Sequence, residues 1–153
     1  MQVVRLRHST VLASGKAGLM LFDPFLIPEA APKADVIFIT HGHYDHFSPE
    51  DIKRCLKPGT VIVCPPSLMK ECCRLAVTVK SVRGLEISTV PAYNIGKPFH
   101  KKEDGGVGYI VSDGTAVLYV AGDTDITPEA QSVRCDICAL PVGGKYTMDA
   151  DEA

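Results

Sequence analysis

No apolar run in this sequence approaches the roughly 20 residues that a helix needs to cross a bilayer. A membrane-spanning role is therefore not expected. Neither charge is in excess: 16 lysines and arginines face 18 aspartates and glutamates, for a formal net charge of −2. Nucleic-acid-binding domains normally carry a basic stripe, and with none here nucleic acid is not an expected partner. The start, Met1-Gln2-Val3-Val4-Arg5, has no long apolar segment behind a basic residue, so no secretory signal is read and the expectation is cytoplasmic. Repeats, low-complexity tracts and interdomain linkers are lacking too. The 153 residues read as one domain, 1–153, long enough for a real core.

Cysteine is present six times, but the usual frameworks are missing. Without a signal peptide, and with 46% hydrophobic residues, a disulfide scaffold is not expected. Cys135-Asp136-Ile137-Cys138 has redox or half-zinc-site spacing, yet no second C-x-x-C completes four ligands. Residues 135–140 read as a strand, in which positions three apart face opposite sides. The thiols are expected to be reduced and mostly buried.

What the chain does have is His41-Gly42-His43-Tyr44-Asp45-His46, which holds three of its five histidines. The segment follows Asp35-Val36-Ile37-Phe38-Ile39-Thr40, a short β-branched run that reads as a buried strand. Four metal-ligand types thus leave the end of a rigid element, and Gly42 lets the backbone turn there. His41 and His43 are two apart, so in extended backbone they point to one side. Asp45 and His46 come after the bend and face a second position. Imidazole and carboxylate suit zinc, and also manganese or iron. A later strand, Leu118 to Ala121, ends in Gly122-Asp123, which places another carboxylate at a strand tip.

The remaining pattern is strand-rich. Val3 to Arg7, Thr10 to Ala13 and Leu19 to Phe22 read as a β-meander with a turn at Ser14-Gly15-Lys16. Ser48-Pro49-Glu50-Asp51 is a helix start, with Ser48 as N-cap and Asp51 completing a capping box, and the helix runs to about Leu56. Val61 to Val63 is a strand, Ser67 is expected to cap a helix over 68–75, and strands follow near 76–80 and 85–91. Residues 94–106 form a Gly- and Lys-rich loop that carries His100. The runs 107–112 and 115–121 flank an Asp113-Gly114 hairpin turn. Thr127-Pro128-Glu129 starts a short helix, 136–141 is a strand, and Thr147 is expected to cap a helix from 148. Two packed sheets with helices outside would bury the many valines and isoleucines.

H-x-H-x-D-H after a strand, with a later Gly-Asp at a strand end, resembles the metallo-β-lactamase-fold hydrolases. More narrowly, His8-Ser9-Thr10, Asp23-Pro24-Phe25, Pro91-Ala92-Tyr93-Asn94, Pro98-Phe99-His100, Gly106-Val107-Gly108-Tyr109, Ala121-Gly122-Asp123-Thr124-Asp125 and Gly143-Gly144-Lys145-Tyr146-Thr147-Met148-Asp149 resemble the metal-dependent hydrolases that include ascorbate-6-phosphate lactonase-like proteins. The resemblance implies an α/β fold, an αββα sandwich of two mixed β-sheets with outer helices. It implies two divalent metal ions, with zinc favoured: His41, His43 and His100 at one, Asp45 and His46 at the other, and Asp123 between them. Asp45 and His8 are the implied catalytic residues, Asp45 steering or deprotonating water and His8 orienting it or the substrate. Asp23 resembles a family aspartate that supports the histidine loop. The family adds a further histidine near its C-terminus, whereas no histidine follows His100 here. The domain is therefore expected to be C-terminally incomplete, with an open sheet edge that invites homo-oligomers. The implied activity is metal-dependent hydrolysis of an ester, lactone or phosphodiester bond of a small molecule. That substrate is anionic if Lys97, Lys101 and Lys102 attract it. A non-catalytic metal-binding fragment is the rival reading, and a nuclease a more distant one.

Overall fold

The computed structural model describes residues 1–78, 82 and 84–153. Among these residues ten strands form two mixed sheets. One holds β1 (Gln2–Arg5), β2 (Val11–Gly15), β3 (Gly18–Phe22), β4 (Val36–Phe38), β5 (Val61–Val63) and β6 (Val77–Thr78), side by side in chain order. β1 to β3 are antiparallel, while β3 to β6 are parallel. The second sheet orders β10 (Ile137–Ala139), β9 (Val117–Val120), β8 (Val107–Ser112) and β7 (Glu86–Pro91). Only its β10–β9 pair is parallel.

Side-chain alternation builds the layers. Met20, Phe22, Val36 and Phe38 point inward, where they meet Tyr109, Val111, Leu118 and Val120 of the other sheet. Phe22 stacks on Phe38 with ring centroids 4.6 Å apart, and the Tyr109 hydroxyl reaches across to donate to the Ile39 carbonyl at 2.9 Å. The odd partners, Leu21, Ile37, Ile39 and Ile62, point outward. They are covered by Ile52 and Cys55 of α1 (Pro49–Cys55) and Cys72 of α2 (Met69–Cys72). On the far side, Tyr119, Val90 and Ala121 pack near α3 (Pro128–Gln131), with Val133 and Leu140 against them. The result is helix, sheet, sheet, helix, as expected. Burying each such large side chain contributes about 1.5–3 kcal/mol. No helix among the described residues is long and apolar enough to cross a membrane.

Several local expectations differ. The first hairpin turns at Lys16-Ala17, because Gly15 pairs with Gly18 and lengthens both strands. Ser48 does accept from the Asp51 amide at 3.3 Å. The Asp51 carboxylate, however, turns away from the cap and accepts the Leu26 and Ile27 amides, which anchors the loop after β3 instead. Ser67 lies inside a 3₁₀ turn, Pro66–Leu68, and caps nothing. Of the strand expected over 76–80, residues 79 and 80 lie outside the described residues. Residues 150–152 form only a turn, since the Thr147 hydroxyl bonds the Met148 carbonyl rather than capping a helix.

The cysteines also depart from expectation. Cys55 and Cys72 are buried, but Cys73, Cys135 and Cys138 are exposed. β10 begins at Ile137, so Cys135 precedes the strand and is not bound by its alternation. Its thiol reaches Cys138; partial burial and that neighbour push its pKa up, away from a reactive thiolate.

Candidate metal centre

The site forms where several strands end together. β3 delivers Asp23, the β4 extension delivers His41 to His46, and β9 delivers Asp123. The β1–β2 loop brings His8 to the same end, since Val11 pairs with Phe22 in register. The loop after β7 supplies His100. A hydrogen bond from the Val107 amide to the Thr40 carbonyl, 3.0 Å long, stitches the two sheets together there.

His41, His43 and His100 each bring one ring nitrogen within 4.8 Å of the others; His8, Asp45 and His46, and also His41, His46 and Asp123, do the same with one ligand atom each. Asp123 spans these groups. One carboxylate oxygen lies 3.3 Å from His46 Nε2, and the other 3.2 Å from His100 Nε2. The structure thus brings together His8, His41, His43, Asp45, His46, His100 and Asp123. His100 is 8% exposed, so it is not a solvated loop residue.

Asp23 organises the interior of this cluster. It is 1% exposed and sits at φ 45°, a left-handed conformation that costs a non-glycine residue free energy. Its Oδ1 accepts the Thr40 amide at 2.8 Å; its Oδ2 accepts the Thr40 hydroxyl at 2.6 Å and His46 Nδ1 at 2.8 Å. Thr40 has spent its only proton on Asp23, so it accepts from His41 Nδ1, 3.0 Å away. Likewise His100 Nδ1 faces the Tyr146 carbonyl at 3.1 Å, which can only accept. In the neutral forms of His41, His46 and His100, the outward proton is thereby fixed on Nδ1 and the Nε2 lone pair is left toward the cluster. That is how outer hydrogen bonds prepare histidine to bind metal.

The donor set fits a cation. His41 Nε2 and His46 Nε2 are buried without a hydrogen-bond partner in the protein, His46 Nε2 lying near Asp123 but out of bonding alignment. Orphaned buried nitrogens are costly unless something positive meets them. Five imidazoles and two carboxylates suit zinc, manganese or iron. Electrostatics point the same way. Burial alone would lower the His46 pKa, but Asp23 and Asp123 overcome it and push it up to about 10. A proton then supplies the positive charge that the two carboxylates demand. Burial, with His46 beside it, pulls His41 down to about 4. Burial would raise Asp123, but the adjacent His46, with the charges of His41 and His100, holds it below the usual carboxylate range.

Two cavities open beside Asp123. The smaller, about 230 Å³, is lined by His41, His43, His100, Lys101 and Ser67. The larger, about 870 Å³, runs past His8, Asp45 and Tyr146 between the two sheets. Lys97 is tied to Asp125 and the Thr147 carbonyl, and Lys102 to Glu129 at 2.8 Å. Of the three loop lysines, only Lys101 lines the smaller cavity.

Sequence reading assigned no role to Thr40, Asn94 or Tyr146, although the last two lie in stretches that carried the family resemblance. Thr40 stood only as the last residue of a strand, although a hydroxyl directly before a ligand histidine was a usable signal. Asn94 donates to the Phe99 carbonyl at 3.0 Å and the Tyr146 carbonyl at 2.6 Å, shaping the His100 loop. Nothing local marks those pairings.

Gly122 supports the cluster from below. At φ 67°, an added Cβ would lie 3.0 Å from Thr40 Cβ and 3.2 Å from its hydroxyl. Gly122→Ala should therefore strain the backbone that carries Asp123 and push on the Thr40 that holds His41. The expected result is about 1–3 kcal/mol of lost stability and roughly tenfold or greater loss of metal affinity. Thermal melts and zinc titrations of the variant check both.

The beta-lactamase superfamily domain profile matches residues 2–153. The UPF0173 metal-dependent hydrolase of Methanopyrus kandleri is 29% identical over 178 residues, covering 100% of this chain and 76% of that protein. Its counterpart in Thermoplasma volcanium is 30% identical over 164 residues, covering 95% of this chain and 73% of the relative. A crystal structure from Parabacteroides distasonis, classed as a metal-dependent hydrolase, superposes with a TM-score of 0.86 at 30% identity, covering 98% of this chain and 73% of that one. With its two mixed sheets and its histidine- and aspartate-lined strand ends, the chain belongs to the beta-lactamase superfamily and, within it, to the UPF0173 metal-dependent hydrolases.

Proposed function

We propose that this hydrolase uses two divalent cations, zinc for preference, to cleave an ester, lactone or phosphodiester bond of a small anionic molecule, in the manner of ascorbate-6-phosphate lactonase-like proteins. One observation carries the reading. Asp123 turns one carboxylate oxygen toward His46 and the other toward His100, between two clusters of ligand atoms. His41, His43 and His100 would hold the first cation, Asp45 and His46 the second, with Asp123 shared. When bound, such cations lower the pKa of water toward about 7 and polarise a carbonyl or phosphoryl centre.

The chain's own groups supply the rest. Asp45 is part-exposed beside His8 and can accept a proton at Oδ2 or steer a water. The Lys101 side chain lines the cavity beside His43 and His100, where its charge favours an anion. The 230 Å³ space suits the reacting end of a small molecule better than a polymer.

The test is turnover of a panel of lactones, phosphodiesters and simple esters by the zinc-loaded chain and by the chelated chain. Activity on at least one class, lost with chelator and restored by zinc, is the expected result. Metal uptake without turnover of any class would favour a binding module instead.

A further inference from the structure

We propose that His8 is a protein ligand of the second cation, beside Asp45, His46 and Asp123. The inference rests on the two-cation reading above.

Four observations carry it. First, one ligand atom each of His8, Asp45 and His46 lies within 4.8 Å of the others, a separate cluster from that of His41, His43 and His100. His8 Nε2 stands 3.1 Å from Asp45 Oδ2. Ligands about 2.0–2.2 Å from a tetrahedral zinc lie roughly 3.3–3.6 Å apart, so that spacing is near the edge of a coordination polyhedron.

Second, the deep wall of the cluster holds a nitrogen with no aligned hydrogen-bond partner among the described residues. His46 is 1% exposed, its Nδ1 is bound to Asp23, and its Nε2 is buried without a hydrogen bond. The His8 and His46 rings meet edge to face with centroids 5.9 Å apart.

Third, His8 is held in a strained conformation. Its φ is 47°, one of four positive-φ non-glycine residues among the described residues; His100, a member of the cluster, and Asp23, which orients His46, are two of the others. Such strain persists where surrounding structure imposes it, and it gathers at functional sites. Here the Arg5 guanidinium donates to the His8 carbonyl at 2.8 Å, and Phe25 packs edge-on against the ring at 5.6 Å. These contacts aim a half-exposed imidazole at Asp45 rather than into water.

Fourth, His8, Asp45 and Asp123 all line the larger cavity, so a cation bound among them would face open space for substrate.

Metal counting distinguishes this role from a simple hydrogen bond to Asp45. The chain, His8→Ala and His43→Ala are stripped, reloaded with cobalt(II) and measured for metal per protein and for visible absorption. The unmodified chain should hold two ions. His8→Ala should hold one tightly, with second-site affinity lowered about 100-fold or more, and should keep the absorption of the His41–His43–His100 site. His43→Ala should lose that absorption and keep the other. Because the His8 side chain is 46% exposed, the fold should survive, which an unchanged thermal melt verifies. Two ions bound by His8→Ala at undiminished affinity would overturn the proposal while leaving the two-cation reading intact. A single ion in the unmodified chain, unaffected by His8→Ala, would also overturn it. No ion in any of the three would remove both.

Discussion

His43→Ala and Asp45→Ala are each expected to abolish turnover, by about 1000-fold or more, while the chain stays folded. Removing an essential ligand removes the metal-derived nucleophile and the stabilisation of developing charge, each worth several kcal/mol. The fold should not notice. His43 is exposed and Asp45 half-buried, and both lie in a loop outside the three core clusters. The polar contacts of His43 and Asp45 run chiefly to other members of the cluster, His100 Nε2 at 3.0 Å and His8 Nε2 at 3.1 Å. Circular dichroism and thermal melts of the metal-free variants should therefore match those of the metal-free parent within a few degrees. Activity retained in both variants would refute the hydrolytic centre.

The contrast between loop and core also explains what was legible beforehand. Six consecutive residues carried the histidine loop, and the apolar run before them is a strand because Val36, Ile37 and Phe38 are buried on both faces. Two-faced burial gives an unbroken hydrophobic run, which sequence displays plainly. The Ser48-Pro49 helix start was equally local. Asp123 needed the pairing of β9 with β8 and β10 to reach His46, a separation of 77 positions that the motif alone only suggested. The expected helix from 148 failed because tertiary bonds took its groups: the Met148 amide donates to the Thr124 carbonyl, and the Thr147 carbonyl accepts Lys97. The Asp51 side chain likewise left its cap for two amides some 24 residues upstream. Local propensity was overridden wherever a distant polar group was buried and needed a partner.

Asp23→Ala should do what the loop variants do not, and bring down fold and site together. Removing the carboxylate strands three donors at once: the Thr40 amide, the Thr40 hydroxyl and His46 Nδ1. All are buried, and His46 loses the nearer of its two charge partners in the interior. Breaking one side of a buried pair costs about 3–5 kcal/mol; for a chain of this size that lowers Tm by roughly 10 °C or more. The backbone adds to the loss: alanine tolerates φ 45° less well than aspartate, so the left-handed strain grows. Asp23→Asn refines the test. Its amide oxygen keeps the Thr40 amide, and its NH2 then stands where both the Thr40 hydroxyl and His46 now donate. Those protons must then reverse, which frees the Thr40 hydroxyl from its fixed role toward His41 and turns His46 to the wrong tautomer. The Asn variant should therefore fold better than the Ala variant, yet bind zinc about 10- to 100-fold more weakly than the parent. Equilibrium dialysis with zinc, run beside the melts, reads both quantities. Parental zinc affinity in Asp23→Asn would show that the orientation of His41 and His46 does not depend on this carboxylate.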